Sequence, residues 1–196
     1  MGAGIDAFSY LSVLISIVLG FALTEVLKGL VGVVRARKSA VIYWPALAWA
    51  GFSLGAIVQS WWASFGLRDH DVWTFGAFAV VLLQVALLYL FTALVLPDAP
   101  RVGEDGRPVL DLKANYHTNR RWLCGALIGV VAASLLKDLI LSGALPSGPN
   151  VAFHAFLAAA ALGAILIRRE GYHWAAALTG PPLLAVYIAT LFRELP

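Results

Sequence analysis

Charge is scarce in this chain. Lys, Arg, Asp and Glu make up 13% of its 196 residues, against about 25% in an ordinary soluble domain. Apolar residues reach 61%, against about 45–50%. A water-soluble globule of this size has no interior large enough for that excess, so the bilayer is the expected solvent. A single cysteine, Cys124, excludes an internal disulfide. The start MGAGIDAFSY lacks a basic region, so no cleavable signal is expected. Asp6 stands where N-myristoylation requires Ser or Thr. The net charge of +3 is scattered over connecting segments, so nucleic acid is not an expected partner.

Catalytic signatures are missing too. There is no GxSxG elbow, no HExxH, no GxxxxGK[ST] and no GxGxxG. No pair of histidines is expected at matching depth to hold a haem. His154 falls near one membrane face, His117 and His173 near the other, and His70 in a loop. Asp69, His70, Asp71 and His154 would converge on zinc only in an unusual fold. Neither an enzyme nor a cofactor is therefore expected.

Long continuous apolar runs are what the chain does have. A helix needs about 20 such residues to cross the hydrocarbon. Six runs, near 8–34, 41–65, 74–96, 121–143, 150–168 and 173–193, qualify. Strands of a barrel would alternate with period two, which these do not. The expected fold is all-α: one polytopic transmembrane bundle over 1–196, with a loop at 97–120. That loop contains the turn Glu104-Asp105-Gly106. Asp111 is placed to cap a helix LKANYHTN leading into the fourth span.

Basic residues set the orientation. Arg35, Arg37, Lys38, Arg101, Arg107, Lys113, Arg120, Arg121, Arg168 and Arg169 all fall on one side. That side should be cytoplasmic in a cell inner membrane, with both termini extracytoplasmic. Trp44, Trp122 and Trp174 fall at inner ends and Trp61, Trp62 and Trp73 at outer ends, as interfacial anchors do. Only Trp49 lies deeper.

The few intramembrane polar groups are the candidate site. Glu25 and Lys28, three apart on the first span, share neighbouring helix faces. Glu25 is expected at the conduction or coupling position, with Lys28 as its partner. Adjacent Lys137 and Asp138 point about 100° apart on a helix, which assigns them different partners. With His154 and Gln59 at similar depth, and Asp6, Asp69, His70 and Asp71 just outside, they outline an outward-facing polar vestibule. Ser12, Ser16, Gly20 and Thr24 recur at intervals of four, a ridge that suits close helix packing within the bundle or in a homo-oligomer.

Two further patterns concern shape. TEVLKGLV in span one resembles ASLLKDLI in span four, and VALLYLFTAL in span three resembles LLAVYIATLF in span six. This hints at a 3+3 inverted repeat of the kind found in transporters. Pro181-Pro182 should kink or break span six. The expectation is a bundle that passes or binds a small ion or polar solute. The alternatives are a non-catalytic scaffold of a membrane complex and a membrane-embedded lipid-modifying enzyme.

Overall fold

The structure, a computed structural model, describes residues 7–70, 72–103, 106–146 and 148–191. The described residues fold into six long helices: α1 (Ala7–Arg35), α2 (Trp44–Ser64), α3 (Phe75–Val95), α4 (Leu112–Ser142), α5 (Gly148–Leu166) and α6 (Glu170–Leu191). All but α2 are long and apolar enough to cross a membrane. The second helix is as long as α3 but carries four tryptophans, three serines and a glutamine, which lower its hydropathy. Large apolar side chains such as Phe21, Val58, Leu83, Leu162 and Val186 are exposed around the outside, a surface suited to lipid.

Local chemistry sets the helix ends. Thr74 caps α3 by accepting from the Ala77 N–H at 3.1 Å. Asp111 caps α4 by accepting from Ala114 N–H at 2.8 Å, a contact worth about 1 kcal/mol. LKANYHTN is thus the first turns of α4, continuous with the span. Gly143, at φ +70°, closes α4 in the left-handed conformation that glycine adopts freely. Pro45 sits in the first turn of α2, where its missing N–H costs nothing. The expected break in the last span does not occur, because α6 runs unbroken through Pro181 and Pro182.

The long loop is more than a connector. Ala40–Val41 (β1) runs parallel to Pro108–Asp111 (β3), and Arg101–Val102 (β2) runs antiparallel to β3. The order β1-β3-β2 joins the first and third connections in one small sheet. It therefore lies at the basic end of the bundle. Gly106 supplies the positive φ of the β2–β3 turn. Glu104 and Asp105 of that turn lie outside the described residues.

The helices pack as a ring in the order α1, α3, α4, α5, α6, α2, with α2 also against α3. This packing lacks the symmetry of the expected repeat. The second helix packs closely on α6, yet its counterpart α5 makes no comparable contact with α3. The core-facing stripe of α1 is Ile15, Leu19, Ala22, Val26 and Val33. The small-residue ridge is not part of it: Ser16, Gly20 and Thr24 are exposed, and Ser12 is half-buried. The large side chains of the stripe remove more apolar area from water and lipid contact than serine and glycine can, so they took the inward face. Gly29 instead makes the close approach, against Leu96 at the end of α3.

Candidate functional site

A cavity of about 310 Å³ lies on the axis of the ring and is lined by all six helices. It occupies the end opposite the sheet. Its lower wall is apolar, with Phe52, Val85, Leu88, Leu127 and Leu184. Its upper wall is polar, and four of the expected site residues meet there: Gln59 from α2, Lys137 and Asp138 from α4, and His154 from α5.

Each polar group has a distinct state. Lys137 Nζ lies 3.5 Å from Asp138 Oδ1, with side chains 18% and 24% exposed. Separate partners were expected from their helix angle. The flexible lysine stem folds back and joins them, because two half-buried charges are better neutralised by each other. His154 Nδ1 lies 2.8 Å from the Asn150 carbonyl and must donate to it. Nε2 lies 3.1 Å from the Ser134 hydroxyl, which can donate or accept. Both ring nitrogens thus have partners. Tyr187 donates to Asn150 Oδ1 at 3.0 Å and stacks on Phe153 at 4.0 Å. The carboxamides of Gln59 and Gln84 face the cavity and have no protein hydrogen bond among the described residues. These free donors and acceptors are what a bound solute would engage.

The remaining candidates lie elsewhere. Glu25 and Lys28 do pair, with Nζ 3.1 Å from both carboxylate oxygens. They sit, however, in a lateral groove of about 1000 Å³ between α1 and α3, with Arg35, Tyr89 and Asp98. Lys28 is exposed there. The core side of α1 is filled by its aliphatic stripe, which leaves the charged pair the outer groove. His70 packs on Trp73 and Asp69 pairs with Arg68. Asp6 and Asp71 lie outside the described residues.

Sequence reading missed a second polar cluster at the sheet end. His117 and His173, expected near one face but not paired, have ring centroids 5.5 Å apart. Tyr116 and Tyr43 pack around them. His173 is completely buried between Tyr116 OH, 3.1 Å from Nδ1, and Arg120 Nη1, 3.4 Å from Nε2. Glu170 Oε2 meets His117 at 3.4 Å, and Oε1 lies 3.6 Å from Lys113. Burial first, and then the Glu170 carboxylate, raise the Tyr43 phenol far above its ordinary pKa, so it stays protonated. The available signal was local. Tyr116 and Arg120 are four apart at the start of α4, Glu170 and His173 three apart at the start of α6, and both helices begin on the same side.

A stack of Trp49, Phe52 and Phe91, edge to face at 5.3–6.1 Å, forms the floor of the cavity toward this cluster. Phe52 touches the cavity, and Trp49 is one turn closer to the sheet end along α2. No group of three His, Cys, Asp or Glu side chains among the described residues converges as metal ligands do. No protein-family model, no curated protein and no solved structure matches the chain.

Proposed function

We propose that the protein binds a small polar solute or ion in the six-helix cavity and admits it from the face opposite the sheet. In this reading all six helices cross a cell inner membrane, the sheet is cytoplasmic and both termini are outside. The basic residues at the sheet end support that orientation. The observation that carries the reading is the convergence of Gln59, Gln84, Lys137, Asp138 and His154 on one cavity in a chain otherwise poor in polar groups. A volume near 310 Å³ has room for a compact solute, at the lower end of the range for ligand sites, about 300–1,000 Å³. The Lys137–Asp138 pair offers charge of both signs, and the two free carboxamides offer directed hydrogen bonds. Passage across the membrane would require the Trp49–Phe52–Phe91 floor to part, in the manner of a gated carrier.

Cysteine accessibility tests the entrance. In a Cys124→Ala background, Ser134→Cys should react with a membrane-impermeant thiol reagent applied to the outside of intact cells. Protection from that side, with labelling only in inverted vesicles, would reverse the orientation. No labelling from either side would remove the cavity as an entrance. In proteoliposomes, Gln59→Leu combined with Gln84→Leu should lower ion or solute flux about 5- to 100-fold, since each hydrogen bond is worth about 0.5–1.5 kcal/mol. Flux that is absent in the wild type for every ion and solute tried would leave binding as the only activity to pursue.

One observation favours assembly as a second role. The Glu25–Lys28 pair and the Ser16, Gly20, Thr24 ridge are turned outward on α1. Charges facing lipid cost about 2.5–3.5 kcal/mol each on insertion scales. A second copy packed on this face would cover them and use the small residues for close backbone approach. Gly20 has nothing within 4 Å, so Gly20→Leu should not lower the monomer's melting temperature, while abolishing an oligomer seen by cross-linking in membranes. A Gly20→Leu protein that cross-links as the wild type does would discard this role for the ridge.

A further inference from the structure

Two charges in the wall of the six-helix cavity hold each other loosely. Lys137 Nζ stands 3.5 Å from Asp138 Oδ1, beyond the about 2.7–2.9 Å of a charge-assisted hydrogen bond. Among the described residues the two side chains have no other ion pair and no hydrogen bond. An ammonium can donate three bonds and a carboxylate can accept several, so most of that capacity is unused. Gln59 and Gln84 each add a free amide oxygen and a free amide nitrogen. Ser134, Asn150, His154 and Tyr187, by contrast, are engaged with one another.

Charge decides which solutes gain from this wall. A cation that takes Asp138 leaves Lys137 half-buried without its counter-ion, and an anion that takes Lys137 does the same to Asp138. Removing one partner of a buried pair is costly, because the other charge is left uncompensated. A neutral solute leaves the pair closed and uses the carboxamides alone. A molecule that brings both an ammonium and a carboxylate replaces the two partners at once and leaves no charge uncompensated. Its own charges must be close together, because Nζ and Oδ1 are 3.5 Å apart. The lower wall, with Phe52, Val85, Leu88, Leu127 and Leu184, offers no polar side chain to a second hydrophilic end and favours an aliphatic one.

We propose that the cavity takes a small aliphatic α-amino acid, with its ammonium toward Asp138, its carboxylate toward Lys137 and its side chain toward the apolar lower wall. An α-amino acid carries its two charges on one carbon and the next, as the closeness of Lys137 and Asp138 requires. The assignment rests on the cavity being the solute site and narrows that solute to one class.

The test is equilibrium dialysis of radiolabelled L-valine against the wild-type protein in maltoside micelles, with unlabelled competitors. L-Valine should bind saturably. Isobutylamine keeps the ammonium and the branched chain, and isovalerate keeps the carboxylate and the branched chain. Each should compete about 10- to 150-fold more weakly than valine, the range for one lost hydrogen bond to a charged group. Glycine should compete about 4- to 50-fold more weakly, for one to three buried carbons lost. Asp138→Asn should close the gap between valine and isovalerate, because the carboxylate that read the ammonium is gone. Lys137→Gln should close the gap between valine and isobutylamine. A substitution that merely loosened the bundle would weaken all competitors alike. If neither variant folds, the wild-type competition series decides. Isobutylamine, isovalerate or glycerol competing as well as valine overturns the amino-acid assignment and leaves the cavity as a solute site. So does the absence of valine binding in a protein whose Ser134→Cys derivative is labelled from outside. Absence of both binding and labelling removes the cavity as a solute site as well.

Discussion

Replacement of Phe91 by alanine is expected to lower the free energy of unfolding by about 3–5 kcal/mol. The ring is 0% exposed and sits edge-on to both Trp49 and Phe52, each with its centroid 6.1 Å away. Its removal takes away the packed area and two aromatic pairs, each worth about 0.5–1.5 kcal/mol beyond burial. The neighbours are themselves large and buried, so collapse into the space is limited. Denaturant titration in micelles, followed by circular dichroism, measures the effect. Phe91→Leu, which keeps most of the volume, should recover more than half of it. The same residue closes the floor between the six-helix cavity and the sheet-end cluster, so Phe91→Ala should also let a thiol reagent entering the cavity reach Cys124, which is otherwise buried. If Phe91→Ala is as stable as the wild type, the floor is not the packed element described here.

Gly29→Ala is expected to destabilise the bundle by about 1–3 kcal/mol, the usual range for overpacking. A Cβ at position 29 would stand 2.8 Å from Leu96 Cβ and 2.9 Å from Leu96 Cδ1. A Cβ is fixed to its backbone, so no rotamer change clears the first contact and α1 must move away from the end of α3. Gly20→Ala and Gly32→Ala are the controls. Neither would meet an atom within 4 Å, and alanine improves helix propensity by up to about 1 kcal/mol. Opposite signs at position 29 and at positions 20 and 32, read from melting temperatures in the same detergent, would establish which glycine carries the contact. Equal effects at all three would contradict the packing of α1 on α3.

The glycines also show where reading the chain succeeds and where it stops. Spacing alone picked out Ser12, Ser16, Gly20 and Thr24, because a four-residue interval is visible in one dimension. Nothing in that interval says which way the ridge turns, and the aliphatic stripe of Ile15, Leu19, Ala22 and Val26 competes for the inward face and takes it. Glu25 illustrates the same limit. Its depth in the first span follows from counting residues, but its place in a lateral groove depends on where α3 lies. Gln59, Lys137, Asp138 and His154 fared better. Helices that run antiparallel across one slab bring residues of equal depth to the same level, so a shared cavity was foreseeable for them. Gln84, Asn150 and Tyr187 join them through rotation about their helix axes, which hydropathy does not report.

Composition and the run of apolar residues settled by themselves that the chain is helical and suited to lipid, with helix ends close to the observed ones. Asp111 at the head of α4 and Pro45 at the head of α2 were equally readable, because capping and proline chemistry act within a few residues. Only the tertiary structure decided that α1 turns its charges outward, that the first and third connections pair in a sheet, and that Arg120 is buried on His173 beside Tyr116 and Trp49. The reason is physical. Hydrophobicity constrains how deep a residue lies along the membrane normal, whereas the direction it faces depends on which neighbouring helix competes best for contact.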